Sequence, residues 1–235
     1  HGRQRRPQAR FADEGADVAI TFVESEAKAL AVVADLVARG VKATAIKADH
    51  GEPESADALM AEVVKQLGRL DVLVNNAAVA WQGKTLDDPS IDNQAMDRQW
   101  KINVAGVVAN IRAAVKYLPE GGRIVSVGSG LGTRARFPGT ADYAATKAAV
   151  IGYSKGAARD LGPRNITVNV VQAGLMATDM AAASKDGLPP GLMDVHAIRR
   201  MATVEEVAAS ILFLSGPTAG SITGSVLDGD GGYVA

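Results

Sequence analysis

Short runs of β-branched residues alternate with longer amphipathic stretches along most of this chain. The sequence predicts strands at 18–22, 43–47, 71–74, 123–127, 166–171 and 225–228. It predicts helices at 25–39, 54–67, 93–117, 141–161 and 204–214. Such alternation is typical of a mostly parallel sheet, because each return between parallel strands needs a crossover that is usually helical. We therefore expect an α/β fold in three layers, with a doubly wound parallel sheet between helices.

Length and composition favour one domain over residues 1–235 and exclude several classes of function. With 47% hydrophobic residues, the chain can bury a single large core. Its 25 basic and 26 acidic side chains nearly cancel, so there is no electrostatic reason to expect binding to nucleic acid or an anionic membrane. It has no cysteine and no apolar run of about 20 residues, the length of a membrane span. We expect a cytoplasmic protein.

A long irregular segment, residues 175–200, follows one of the predicted strands. Gly187, Pro189, Pro190 and Gly191 interrupt any regular element there. Stretches of this length within compact domains are commonly lids or binding loops, and open α/β sheets bind ligands at the carboxyl ends of their strands. We expect a substrate lid at 175–200, with a plain surface loop as the alternative.

Tyr143 and Lys147 stand four residues apart near the start of a predicted helix, a spacing that places both side chains on one face. A phenol has an unperturbed pKa of about 10, and a nearby ammonium lowers that pKa by favouring the phenolate. The pair is therefore a candidate for proton transfer. The alternative is a half-buried ring beside a solvated charge.

Ser129 ends a predicted buried strand, R-I-V-S-V-G-S-G. A hydroxyl at the carboxyl end of such a strand can donate a hydrogen bond to a substrate carbonyl oxygen and stabilise developing negative charge. The alternative is an ordinary turn serine. The three histidines, His1, His50 and His196, lack the spacing of metal ligands, so we predict surface or turn positions for them and no metal site.

From Phe11 onward the chain resembles the short-chain dehydrogenase/reductase family. The shared order is N-N-A-A after a strand, an Asn on a long helix, a Ser after a strand, and then Tyr-x-x-x-Lys. These parts are Asn75 to Ala78, Asn103, Ser129, Tyr143 and Lys147. The resemblance continues through I-T-V-N-V-V-Q-A-G at 166–174, E-E-V-A at 205–208 and I-T-G-S-V-L-D-G-D-G-G at 222–232.

The resemblance implies a Rossmann-type fold and a catalytic set of four residues. Tyr143 would be the general acid in reduction and the general base in oxidation. Lys147 would lower the pKa of that tyrosine and hold the nicotinamide ribose. Ser129 would orient the carbonyl group, and Asn103 would lie at a kink in the long helix, where its backbone holds a water molecule.

The resemblance also implies residues that bind a nicotinamide cofactor. Besides Tyr143 and Lys147, these are Ser25, Asp49, Asn75, Ala77, Gly174 and Thr178. Asp49 would meet the adenine amino group. Ser25, with Lys28 nearby, stands where a 2′-phosphate could be bound, whereas Glu24 would repel that phosphate. We expect NADP, with NAD as the alternative.

The largest departure from the family lies at the start of the chain. The family begins with a strand and a Gly-rich turn that binds pyrophosphate, and residues 1–10 continue neither. That strand is normally central, between the strands predicted at 18–22 and 71–74, and its loss would open a gap of about 10 Å, two strand spacings. We expect seven strands in the intact protein. A natural N-terminal extension, a local reading-frame error and a cloning remnant are the explanations we consider.

The function implied is NADPH-dependent reduction of a ketone, similar to that of the 3-oxoacyl-carrier-protein reductases. One alternative is NAD-dependent oxidation of a secondary alcohol, and another is a non-catalytic cofactor-binding or assembly subunit. The substrate would be a small carbonyl or alcohol compound. The predicted helices 93–117 and 141–161 carry small residues suited to close packing, and the resemblance implies that they pair in a homodimer within a homotetramer.

Overall fold

The computed structural model describes residues 7–176 and 191–235. Its helices are α1 Pro7–Asp13, α2 Glu26–Val37, α3 Ala56–Leu67, α4 Asn93–Trp100, α5 Val107–Ala114, α6 Ala141–Leu161 and α7 Val204–Ser215. Its strands are β1 Val18–Phe22, β2 Ala43–Lys47, β3 Val72–Asn75, β4 Arg123–Ser129, β5 Thr167–Ala173 and β6 Val226–Gly229. The predicted α/β class is confirmed.

The strands within the described ranges form two parallel sheets rather than one. One sheet pairs β1 with β2, and the other has the order β3-β4-β5-β6. Val18 lies opposite Ala43 in the first sheet, and Ser129 opposite Ala173 in the second. Among the described strands, the interruption between β1 and β3 lies where the family resemblance predicts a gap, so one edge of each strand faces that gap.

A cavity of about 840 Å³ occupies this gap. All five residues of β1 and the whole of segment 71–76 line it. Successive side chains of a strand point to opposite faces of its sheet. A cavity on one face would contact only alternate residues. Because every residue contacts this cavity, it runs along the strand edges. Residues of α1, α2, α3 and α5 complete its walls, so helices cover the gap as they cover the strands.

The larger sheet carries most of the core. Six of the seven residues of β5 are buried, and Ile124, Val168 and Val171 are fully inaccessible. Continuous apolar burial of this kind is expected of a central parallel strand covered on both faces. Helix α1, which the sequence analysis did not predict, packs against α7 and α2.

The predicted helix 93–117 is interrupted by a π-helical turn, Lys101–Gly106, between α4 and α5. Gly106 lies against the backbone of His50, where a Cβ would be 2.2 Å from the His50 carbonyl oxygen. Within the predicted lid 175–200, residues 177–190 lie outside the described ranges. Leu192–Val195 forms a 3-10 turn, and Met176 makes a β-bridge with Ala202. No helix in residues 7–176 or 191–235 has the length and apolar character needed to cross a membrane.

Candidate active site

Ser129 is the last residue of β4, at the carboxyl edge of the larger sheet. Its backbone is extended, and its Oγ accepts a hydrogen bond from the backbone N–H of Leu131 at 3.3 Å. The strand ends here because Gly130 begins a short 3-10 turn, where a Cβ would be 2.6 Å from the ring of Tyr233. The predicted hydroxyl therefore lies at a sheet edge where ligands commonly bind.

Tyr143 and Lys147 lie in the first two turns of α6, as their spacing predicts. The Tyr143 ring is half-buried, whereas only 4% of Lys147 is exposed. The Lys147 Nζ donates a hydrogen bond to the Val127 carbonyl oxygen at 3.0 Å and lies 5.7 Å from the centre of the Tyr143 ring. The alternative of a solvated lysine is wrong, because α6 packs Lys147 against β4.

Burial dominates the acid–base properties of this pair. It raises the pKa of the Tyr143 phenol, and a hydrogen bond from Ser129 opposes that rise. Burial also lowers the pKa of the Lys147 ammonium to about 8. Without a bound group, the balance of these effects makes the phenol a weaker acid than free tyrosine. A bound positive charge beside the ring would act together with Lys147 to lower this pKa.

Asn103 lies in the π-helical turn, as the expected kink implies, and is 1% exposed. Its Oδ1 accepts from the backbone N–H of Val79 at 3.0 Å, while its Nδ2 donates to the Val79 carbonyl oxygen at 2.9 Å and to Thr146 Oγ1 at 3.3 Å. Thr146 in turn donates to the carbonyl oxygen of Tyr143 at 2.7 Å. The side chain thus joins the segment after β3 to the Tyr143 helix.

Asn75 ends β3 and is 6% exposed. Its Nδ2 donates to Ser126 Oγ at 3.3 Å, and its Oδ1 accepts from Asn110 Nδ2 at 3.4 Å. Ala77 follows in an exposed segment that lines the cavity at the gap. Gly174 follows β5, and a Cβ there would be 2.8 Å from Asp230 Cα, so the chain needs a glycine for close packing.

Asp49 already has protein partners. Its Oδ1 accepts from the Gly51 backbone N–H at 2.8 Å, and its Oδ2 pairs with the Arg98 guanidinium. The Gly51 hydrogen bond, followed by that of Arg98, lowers the pKa of the carboxyl group. A contact with adenine would therefore have to share this carboxylate with Arg98.

Ser25 and Lys28 lie at the start of α2, where both are exposed and line the cavity beside β1. The Ser25 hydroxyl makes no capping hydrogen bond to α2, so it is available to a ligand. Thr178 lies outside the described residues. Ser129, Tyr143 and Lys147 therefore lie together at the larger sheet, whereas Ser25 lies beside the smaller sheet.

A polar chain that the sequence analysis missed crosses the gap between the sheets. His50 Nε2 lies 3.0 Å from Thr21 Oγ1 on β1, and its Nδ1 lies 3.0 Å from Asn110 Nδ2. Asn110 continues the chain to Asn75 on β3. Since an amide NH₂ can only donate, Nδ1 accepts and His50 is neutral. Burial lowers its pKa.

His196 follows the 3-10 turn Leu192–Val195, so of the predicted surface or turn positions it takes the turn, in a buried place. It is 7% exposed, and its ring lies 5.3 Å from that of Tyr233. Tyr233 donates its hydroxyl to the Arg134 carbonyl oxygen at 2.9 Å, and its own carbonyl oxygen accepts from Arg136 Nη2 at 2.8 Å. These contacts fix the loop between Ser129 and Tyr143.

Comparison with known proteins gives the same family as the motif order. A family profile described as enoyl-(acyl carrier protein) reductase matches residues 8–234. The chain belongs to the short-chain dehydrogenase/reductase family. It is therefore an oxidoreductase of the class that acts on alcohol and carbonyl groups with a nicotinamide cofactor.

Two curated relatives of this chain are described as having different functions. The cyclic-di-GMP-binding biofilm dispersal mediator protein of Escherichia coli (strain K12) is 37% identical over 227 residues, covering 96% of this chain and 90% of the relative. The 3-oxoacyl-[acyl-carrier-protein] reductase FabG of Staphylococcus aureus (strain Mu50 / ATCC 700699) is 36% identical over 224 residues, covering 94% and 89%.

A solved structure, a short chain dehydrogenase from Burkholderia cenocepacia J2315 in complex with NADP, is 42% identical. The match covers 97% of this chain and 92% of the chain in that structure, with a TM-score of 0.90.

Proposed function

We propose that this short-chain dehydrogenase/reductase reduces a ketone to a secondary alcohol with NADPH, the ketone being a 3-oxoacyl or related carbonyl compound. The observation that carries the proposal is the cluster at the end of β4: Ser129 acts to lower the pKa of the Tyr143 phenol, and the buried Lys147 ammonium lies 5.7 Å from the centre of the Tyr143 ring. Two hydroxyl groups and one cation at a sheet edge suit a carbonyl oxygen that becomes an alkoxide.

The residues around this cluster fit the nicotinamide half of a cofactor. An ammonium group has three N–H donors, and Lys147 uses one on Val127 within the described residues. Two remain for ribose hydroxyl groups, and Asn75 and Ala77 lie at the end of the adjoining strand. When bound, the reduced nicotinamide supplies hydride to the carbonyl carbon.

The chain's own residues would bind the carbonyl oxygen and supply the proton. Ser129 and Tyr143 donate hydrogen bonds to that oxygen, and Tyr143 then gives its proton to it. In the reverse direction Tyr143 accepts the alcohol proton. Burial holds Lys147 in one place, so its charge stabilises the phenolate left behind and favours proton release.

The preference for NADP over NAD is supported by the start of α2. Ser25 and Lys28 are exposed there and border the cavity beside β1, so a hydroxyl and an ammonium can meet a 2′-phosphate. Glu24 opposes this preference by its charge. The Burkholderia cenocepacia relative, described in complex with NADP, also supports it.

The proposal is tested by adding NADPH or NADH to the purified protein with a panel of ketones that includes 3-oxoacyl thioesters, and following the loss of reduced nicotinamide absorbance. We expect turnover with NADPH, at higher kcat/KM than with NADH. Faster oxidation of secondary alcohols with NAD would favour the dehydrogenase alternative and reverse the cofactor assignment.

A non-catalytic binding protein is the second candidate, and the described function of one relative is the observation that favours it. The Escherichia coli relative is described as binding cyclic di-GMP. Saturable binding of a nucleotide without turnover of any ketone or alcohol would support this candidate.

We propose that the protein assembles as a homotetramer built from homodimers that pair helices α5 and α6. Ala148 and Gly152 on α6 are exposed, and a Cβ at Gly152 would meet nothing within 4 Å. A small, open surface of this kind lets a second helix approach closely. Light scattering during size-exclusion chromatography measures the mass, and a monomer would contradict the proposal.

A further inference from the structure

Two side-chain amides one helical turn apart hold the segment 79–83. The Gln99 Oε1 on α4 accepts from the backbone N–H of Trp81 at 2.7 Å, and Asn103 binds both backbone groups of Val79. Alternate residues of an extended segment are therefore paired with a helix, much as they would be paired with a neighbouring strand.

Gln99 is an unusual residue for its position. It is fully inaccessible to solvent, and its Nε2 is buried with no hydrogen-bond partner among the described residues. An unpaired buried donor is destabilising, so an apolar side chain of the same size would avoid that cost. The stability of α4 therefore does not explain this glutamine, whereas the contact with Trp81 does.

The segment that Gln99 holds runs from one part of the proposed active site to another. It begins just after Asn75 and Ala77, and the Gly83 N–H donates to the Gly139 carbonyl oxygen at 2.8 Å. Gly139 has a φ of +73°, and a Cβ there would lie 2.7 Å from the Gly83 backbone. This close approach lies four residues before Tyr143.

We propose that Gln99 is a positioning residue for the ketone site and acts through the segment 79–83. The inference rests on the proposed function. A ketone bound to Ser129 and Tyr143 lies between the nicotinamide side and the start of α6, and segment 79–83 connects these two places. Its position therefore limits the substituents that the ketone can carry, while the cofactor contacts at Asn75 and Ala77 stay in place.

The test replaces Gln99 in the full chain and compares KM, kcat and NADPH binding. Gln99→Met removes the amide at similar length, Gln99→Glu keeps an acceptor for Trp81, and Gln94→Met is the matched control on the exposed side of α4. For Gln99→Met we expect the ketone KM to rise about tenfold, equivalent to about 1.4 kcal/mol. Its kcat and NADPH Kd should stay within about threefold.

Gln99→Glu should restore most of the KM, and Gln94→Met should match the wild type. Hydrogen exchange at the Trp81 amide should quicken in Gln99→Met alone, which reports on the contact without any turnover. An unchanged ketone KM in Gln99→Met would overturn the proposal. So would a general impairment in which kcat falls and the ketone KM and NADPH Kd rise by similar factors. If the wild type reduces no ketone, the proposed function fails, and unchanged exchange at Trp81 would independently reject the positioning role.

Discussion

The two sheets use similar strand sequences with different results. Val18–Phe22 and Thr167–Ala173 are both rich in β-branched residues, yet β1 has no buried residue and β5 has six. The difference lies in their neighbours, because β5 pairs on both edges whereas β1 pairs on one and borders a cavity on the other. Strand propensity places both segments in a sheet, but only flanking strands and helices bury them.

The proposed catalytic residues and the proposed adenosine-binding residues lie on different sheets. The proton-transfer residues stand on the well-packed larger sheet, while Ser25 and Asp49 stand on the smaller sheet. Chemistry needs a fixed geometry, and the larger sheet supplies it. We therefore expect changes in the larger sheet to affect catalysis and changes in the smaller sheet to affect local stability.

The largest expected effect is on turnover. Tyr143→Phe removes the proton donor of the larger sheet, so kcat for ketone reduction should fall by about 10³-fold, within the range of general acid catalysis. Tyr153→Phe, ten residues further along α6, is the matched control and should retain activity. Steady-state kinetics with NADPH measure both, and equal activity of Tyr143→Phe and the wild type would remove the proposed mechanism.

Hydrogen exchange compares the sheets directly. Amides of β1 should exchange at least about 100-fold faster than those of β5, because local opening requires less free energy where few apolar contacts are broken. Mass spectrometry of exchanged peptides gives both rates in one experiment. NADPH should slow exchange in β1 more than in β5, and equal rates without cofactor would show that the gap does not weaken the smaller sheet.

Lys147 should make stability depend on alkaline pH. Its folded-state pKa of about 8 lies below the 10.5 of a free lysine, so between these pH values the unfolded chain binds the extra proton. The free energy of unfolding therefore rises with pH across this window, by at most about 3 kcal/mol. Urea unfolding of wild type and Lys147→Met should show the rise in the wild type only; parallel pH profiles would contradict the assignment.

His50 should give a smaller effect of pH on the link between the sheets. Its lowered pKa means that the folded state favours neutral imidazole, so stability is full above pH 6.5 and falls as the pH drops below it. His50→Gln should lessen this fall and cost about 1 kcal/mol at neutral pH through weaker hydrogen bonds. Thermal unfolding between pH 5 and 7.5 tests both effects, and an unchanged slope in the variant would show that another group titrates.

The smallest expected effect is on the stability of two helices, each tested by replacing the residue that precedes it. Thr203 caps α7, which packs on the larger sheet, by accepting from the Glu206 backbone N–H in a full capping box. Ser25 precedes α2 without such a bond. Thr203→Ala should cost about 1 kcal/mol and Ser25→Ala much less. Urea midpoints measure the difference, and equal losses would indicate that Ser25 caps α2 in solution.

The sequence predicts the regular elements of both sheets well, because local patterns determine them. Strands β1 and β2 and helix α6 have the predicted bounds. The π-helical turn is not visible in the spacing of apolar residues, which continues through it, and only the family resemblance implied a kink at Asn103. Helix α1 was missed because its start is polar and basic, whereas its packing against α7 and α2 depends on residues distant in the sequence.

The site was predictable in position but less so in its electrostatics. The spacing of Tyr143 and Lys147 places them on one helical face whatever surrounds them. The direction of the Tyr143 pKa depends on burial, which no local pattern reveals. Gln99 and His50 were not identified for the same reason, since their partners lie 18 and 60 residues away.

Within residues 7–176 and 191–235, the edges of β1 and β3 that border the cavity have no strand partner, and this influences how that part of the protein behaves at high concentration. Unpaired backbone groups along a strand are templates for pairing with another chain, and a net charge of −1 gives little mutual repulsion between molecules. Self-association should therefore increase whenever the helices over the gap move apart. A ligand that keeps them together should protect the protein during storage more than a change of ionic strength would.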